Sequence, residues 1–171
     1  MEHVYTVIPD GLDDGWYFDL IHIIALIVLP ISCICCVAVL ILIFMVQTPK
    51  ITSVKRFFDR PIGERLVIYL VICNLLYCIS HIMDHSYMIS VRGHPPDEAC
   101  AAFAFFLNEF VIAQSLIVAF TAINAFVMVV KNTKIPLGKY DCGLFIVSLG
   151  LPLIFGILGL STGHLGPSES W

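Results

Sequence analysis

LIHIIALIVLPISCICCVAVLILIFMV, the stretch from Leu20 to Val46, carries no formal charge along its whole length. A bilayer's hydrocarbon core takes about 20 apolar residues as a helix, because no water is present there to hydrogen-bond an unpaired backbone group. Leu20 to Val46 meets that length, and three further stretches do so too: Leu66 to Ser90, Ala101 to Val130 and Cys142 to Leu160. The expected fold class is therefore all-α, a transmembrane helical bundle. One membrane domain is expected over 1–171, with an N-terminal segment 1–19, transmembrane helices over 20–46, 66–90, 101–130 and 142–160, and an outer loop over 161–171.

Composition agrees. The chain is 59% hydrophobic and 13% charged with a mean hydropathy of +0.94, whereas soluble domains run near half apolar and about a quarter charged. Its nine basic residues form no long run and the net charge is -4, which gives no surface for nucleic acid. Met1 to Asp19 carries Glu2, Asp10, Asp13, Asp14 and Asp19 but no Lys or Arg, the wrong sign for the start of a signal peptide. No internal repeat or glycine-rich phosphate loop is present, and neither enzyme activity nor a cofactor is expected.

Lys and Arg near helix ends resist translocation and so set orientation. The linker Gln47 to Arg65 holds Lys50, Lys55, Arg56, Arg60 and Arg65, and the linker Lys131 to Asp141 holds Lys131, Lys134 and Lys139; Arg92 stands alone on the opposite side. Both basic linkers are expected in the cytoplasm and the N-terminus outside, in a multi-pass protein of the plasma membrane. Trp16 and Tyr17 fit the aromatic belt at the outer interface, and Phe57 and Phe58 are expected either against lipid headgroups or in a plain surface loop. Pro30 and Pro152 lie inside apolar runs, with Gly150, Gly156 and Gly159 around the latter, and a bent, closely packed fourth helix is expected.

Ionisable groups at bilayer depth cost about 3 kcal/mol or more to insert, so they belong inside the bundle. Two stand out, Asp84 and Glu109. His81, Asp84 and His85 share one face at helical spacing, and Glu109 is expected roughly 12 Å inside the outer end of helix three, at 1.5 Å per residue. Together these four are candidates for an outward-open ligand pocket, the competing roles being snorkelling and interhelical hydrogen bonding. The His81, Asp84 and His85 trio has the donor types for zinc but lacks a His-Glu-x-x-His motif, and no metal is expected. Asn74, Ser80, Asn108, Gln114, Ser115, Thr121 and Asn124 read first as side chains that bridge helices. Cys33, Cys35, Cys36, Cys73, Cys78 and Cys142 read as packing or free thiols. Cys100 differs, standing on the expected oxidising side with no second outer cysteine in the chain.

Several stretches, taken in order, resemble one receptor family. Arg65-Leu-Val-Ile-Tyr-Leu-Val-Ile-Cys-Asn-Leu-Leu resembles the second helix of cyclic-AMP-receptor-like and secretin/adhesion-like G-protein-coupled receptors, with Asn74 where the family pattern has aspartate. Cys100, Phe105-Phe106, Ser115-Leu116 and Ala122-Ile-Asn-Ala-Phe-Val-Met-Val-Val resemble the third helix, and the rhodopsin-type Asp-Arg-Tyr is absent. Leu149-Gly-Leu-Pro152, then Gly163, Gly166-Pro-Ser and Trp171, resemble the fourth helix and the loop that follows it, with Leu149 in place of the usual tryptophan.

The resemblance, which covers Arg65 to Trp171, implies a seven-helix receptor of which this chain holds helices one to four. It implies a disulfide from Cys100 to a cysteine of the second outer loop, beyond residue 171. It further implies an extracellular ligand of unknown identity, membrane lipid around the helices, and signal transduction to a heterotrimeric G protein through a cytoplasmic face with Arg65, Lys131 and Lys134. A complete four-helix membrane scaffold or channel subunit is the alternative expectation.

Overall fold

In the computed structural model, described for residues 15–47, 57–93, 95–133, 135, 137–163 and 165, four long helices follow one another without a strand among the described residues. Helix α1 spans Gly15–Gln47, α2 spans Ile62–Val91 and α3 spans Asp97–Lys131. The fourth, α4, is a composite: a 3-10 turn Lys139–Asp141, an α segment Cys142–Phe145, a π segment Ile146–Gly150 and an α segment Leu151–Ser161. All four are long and apolar enough to cross a membrane. The protein is an all-α bundle of the multi-pass membrane type.

Each helix runs several residues past its apolar stretch. Hydrophobic length marks the hydrocarbon, whereas a helix continues into the interfacial layer, where Asp19, Glu64, Asp97, Glu98 and Lys131 are readily solvated. Both α2 and α3 begin directly after an extended proline, Pro61 (φ -52, ψ 139) and Pro96 (φ -51, ψ 147). The proline carbonyls accept the first helical bonds, from Arg65 N at 3.3 Å and Cys100 N at 2.9 Å. Both helices stop at a left-handed residue, Arg92 (φ 49) and Asn132 (φ 50), the usual way to satisfy the last carbonyls of a helix.

α1 packs on α2, α2 on α3, and α3 on α4. With lipid outside there is little hydrophobic force between helices, so contact rests on close packing and hydrogen bonds. Accordingly α1 exposes Ile24, Ile27, Val28, Ile31, Ile34 and Leu42, and this apolar skin is what lipid solvates. The core is concentrated in one half of the bundle, where Leu66, Tyr69, Cys73, Ala113, Ile117, Leu137 and Leu144 meet. That half lies toward the linkers holding eight of the nine Lys and Arg residues, here termed the basic end; the opposite end is the acidic end.

The fourth helix is bent as expected, through a π segment. Pro152 has no N–H to give the carbonyl four residues before it, and the turn ahead of it widens into the π segment. Ser148, fully buried there, turns its hydroxyl back onto the Leu144 carbonyl at 2.8 Å. Of the three glycines near Pro152, Gly156 makes the close helix contact. A Cβ at that position would stand 2.6 Å from the Phe105 ring on α3, while one at Gly150 would meet nothing.

Phe57 and Phe58 turn inward. Phe57 lies 5.9 Å from the Tyr69 ring and packs against the basic-end core, and Phe58 lies 4.9 Å from Tyr140, both rings partly buried. Trp16 and Tyr17 are exposed at the first turn of α1, as an interface anchor requires.

Candidate functional site

Polar side chains gather in two places, one at each end of α2. At the basic end, Arg65 and Tyr69 stand four residues apart on α2 and hence on one face. Opposite them is Asp141, the last residue of the 3-10 turn, which is 2% exposed. Arg65 Nε and Nη2 donate to the two oxygens of Asp141 at 2.8 and 2.9 Å, and the Tyr69 hydroxyl donates to Oδ2 at 2.8 Å. Arg65 Nη1 donates to the carbonyls of Phe58, at 2.8 Å, and of Arg60. One guanidinium thus ties together the first linker, α2 and the turn that opens α4, in the bidentate geometry that suits arginine and a carboxylate.

The local backbone makes this contact possible. Gly138 (φ 80), Tyr140 (φ 59) and Asp141 (φ 57) are all left-handed, a state that costs a non-glycine residue about 1 kcal/mol or more, least for Asp and Asn. The turn is closed by Gly143 N donating to Leu137 O at 2.9 Å. Its strain is offset by the buried ion pair it delivers. A second strap lies nearby, where Asn124 of α3, itself buried, accepts from Ile135 N at 3.4 Å through Oδ1. Between the two linkers is a cavity of about 360 Å³ bordered by Arg60, Arg65, Ile135, Leu137 and Asp141.

At the acidic end, His81 and His85 stack at 4.6 Å on α2, and His85 meets His22 of α1 with Nδ1 atoms 2.5 Å apart. Phe18 and Tyr77 extend the ring cluster edge to face, at 4.2 Å from His22 and 5.2 Å from His81. An exposed ion pair, Arg92 to Asp19 at 2.9 Å, spans the same two helices.

The structure therefore brings His81 and His85 together but places Glu109 elsewhere. α3 begins at Asp97 rather than at Ala101, so Glu109 lies about 18 Å along its helix at 1.5 Å per residue instead of roughly 12 Å. It is within Coulombic range of Cys73, which stands about two turns of α2 from His81. Glu109 is 8% exposed and its Oε2 has no hydrogen-bond partner, as is true of His81 Nδ1 and Gln114 Nε2. Asp84 lies within Coulombic range of both His81 and Cys100. Among the described residues no three His, Cys, Asp or Glu side chains converge as a metal site would need.

Arg65, expected on the cytoplasmic face, is turned inward at the basic end with its side chain 13% exposed. Lys131 is exposed in the last turn of α3, and Lys134 lies outside the described residues. Cys100 is half-buried in the first turn of α3 and, like the other six cysteines, is a free thiol. Of the residues expected to bridge helices, Asn74 does so, donating from Nδ2 toward Cys36 Sγ at 3.1 Å and Ser32 Oγ at 3.4 Å on α1. Ser80, Ser115 and Thr121 instead turn back to carbonyls of their own helix. A cavity of about 630 Å³ is bordered by Cys36 of α1, Leu70, Val71 and Asn74 of α2, and Gln114, Ser115 and Val118 of α3.

Two participants escaped the sequence reading, Asp141 and His22. Asp141 was visible as the lone carboxylate in a linker otherwise basic. His22 was visible as the one imidazole in the charge-free stretch Leu20 to Val46. No protein-family model matches the chain, and no curated protein and no solved structure matches it.

Proposed function

We propose that this chain forms the first four helices of a seven-helix G-protein-coupled receptor of the plasma membrane, with its N-terminus outside. In that reading a ligand outside the cell changes helix packing, and the basic end passes the change to a heterotrimeric G protein. Coupling of this kind requires a ligand that binds two packings with different affinity.

One observation carries the reading: the 630 Å³ concavity bordered by α1, α2 and α3 presents Asn74, Gln114 and Ser115 from the middle of their helices. Amides at hydrocarbon depth belong against protein or water rather than lipid chains, and three further helices of the same bundle would supply that surface. The order of motifs from Arg65 to Trp171 supports the same family. The residues assigned to signal transfer are Lys131 and Lys134, with Arg65 holding the turn of the second linker.

Sequencing the native transcript across codon 171 tests the proposal. A frame that continues with a cysteine and three more apolar segments is the expected result. A stop codon directly after Trp171 in every transcript sinks it and favours a four-helix scaffold or channel subunit. The Arg65–Asp141 pair, which closes the basic end using these four helices alone, is the observation on the scaffold's side.

A further inference from the structure

The Nδ1 atoms of His22 and His85 face each other at hydrogen-bond distance. Such a contact needs one nitrogen with a proton and one without, since an imidazole nitrogen either donates or accepts. His22 is 7% exposed, so water does not stand in for its partner. His81 stacks on the other side of His85. Three imidazoles, a side chain whose free form titrates near neutrality, are thus clustered across the junction of two helices.

We propose that His22, His85 and His81 form a proton-binding site that fastens the acidic ends of α1 and α2 together when unloaded and releases them when loaded. One added proton is tolerated, because it enters at a ring nitrogen outside the shared bond and leaves the Nδ1–H···Nδ1 contact in place. A second must occupy the accepting Nδ1. Two N–H groups then face each other, the bond is lost, and two cations meet across the interface. Protonation of His81, 4.6 Å from His85, adds a third like charge.

The surrounding charges decide which protons are tolerated. From α1 comes Asp19, engaged with Arg92 of α2. α2 itself brings Asp84, within Coulombic range of His81, and the Tyr77 ring against His81. On α3, Cys100 with Asp97 near it borders Asp84, and Glu109 borders Cys73 deeper in the bundle. Asp84 offsets charge on His81, and the repulsion therefore falls on the His22–His85 bond.

The test uses the full chain in lipid nanodiscs with nitrogen-15 histidine, read by NMR between about pH 7.5 and 3.5, a range carried below that of a free imidazole because burial and like charges oppose the second proton. A nitrogen–nitrogen scalar coupling between the two Nδ1 atoms is expected at the upper pH and is expected to vanish as both rings become imidazolium. Over the same range, dipolar broadening between nitroxides encoded at the exposed Trp16 and Val91 is expected to fall as the helices separate. H81F moves both changes to lower pH, while H22F and H85F each abolish the separation, either variant serving if the other fails to fold. Label spacing that stays constant down to the lowest pH, a coupling that survives there, or an unchanged acid response in H22F overturns the site.

Discussion

At its basic end α2 commits Arg65 to four contacts, two with Asp141 and two with linker carbonyls. At its acidic end His85 meets His22 once, and His81 Nδ1 meets nothing. Both ends bury polar atoms, yet only the first pairs them fully. A saturated node resists change because each bond lost strands a buried partner, whereas an unsaturated one has capacity to take up protons or new partners.

The contrast is broken most directly at Asp141. Asp141→Ala leaves a buried guanidinium without its counter-charge and is expected to cost about 3–5 kcal/mol, measured as unfolding free energy in detergent micelles. Arg65→Met combined with Asp141→Asn removes both charges, and asparagine tolerates the left-handed backbone there, so most of that loss is expected to return. If the double variant is as damaged as the single one, the node owes its effect to shape and not to charge.

Glu109 sharpens the contrast through its sign. Since its Oε2 bonds to nothing in the bundle, Glu109→Leu is expected to raise stability by about 1–2 kcal/mol in the same assay. A clear loss would reveal a partner that the carboxyl requires. Tyr69→Phe deletes one of three bonds to Asp141 and is expected to cost about 1 kcal/mol, with the ion pair intact. Arg92→Ala breaks a pair whose arginine side chain is 70% exposed, and a change below about 1 kcal/mol is expected, vanishing at high salt. An effect as large as that of Asp141→Ala would erase the distinction between the two ends.

The four spans were legible because charge is excluded from them, whereas α2 and α3 start directly after Pro61 and Pro96, four residues ahead of the expected Leu66 and Ala101. The buried faces were not. A helix that is apolar all round shows no stripe for the core, so nothing in Leu66, Ile68 and Cys73 distinguished them from exposed Val67 and Ile72. The site was legible in part. His81 and His85 were placed together by their spacing of four, but their partner His22 is 63 residues distant from His85 and sits among aliphatics. Asp141 was obscured differently: its contact to Arg65 depends on left-handed backbone at Tyr140 and Asp141 themselves, a conformation that neither residue type announces.

One feature of α4 has a consequence for insertions and deletions. Its buried residues Leu144, Ser148, Pro152 and Gly156 are spaced by fours. On an unbroken α-helix, at about 100° per residue, positions twelve apart lie about 120° out of phase. The π segment between Ile146 and Gly150 absorbs about one extra residue of rotation and brings the seam back into line. The register of Gly156 against Phe105 is therefore set ten residues upstream. Removing a single residue from that segment would leave a more regular helix whose outer half presents the wrong face to α3.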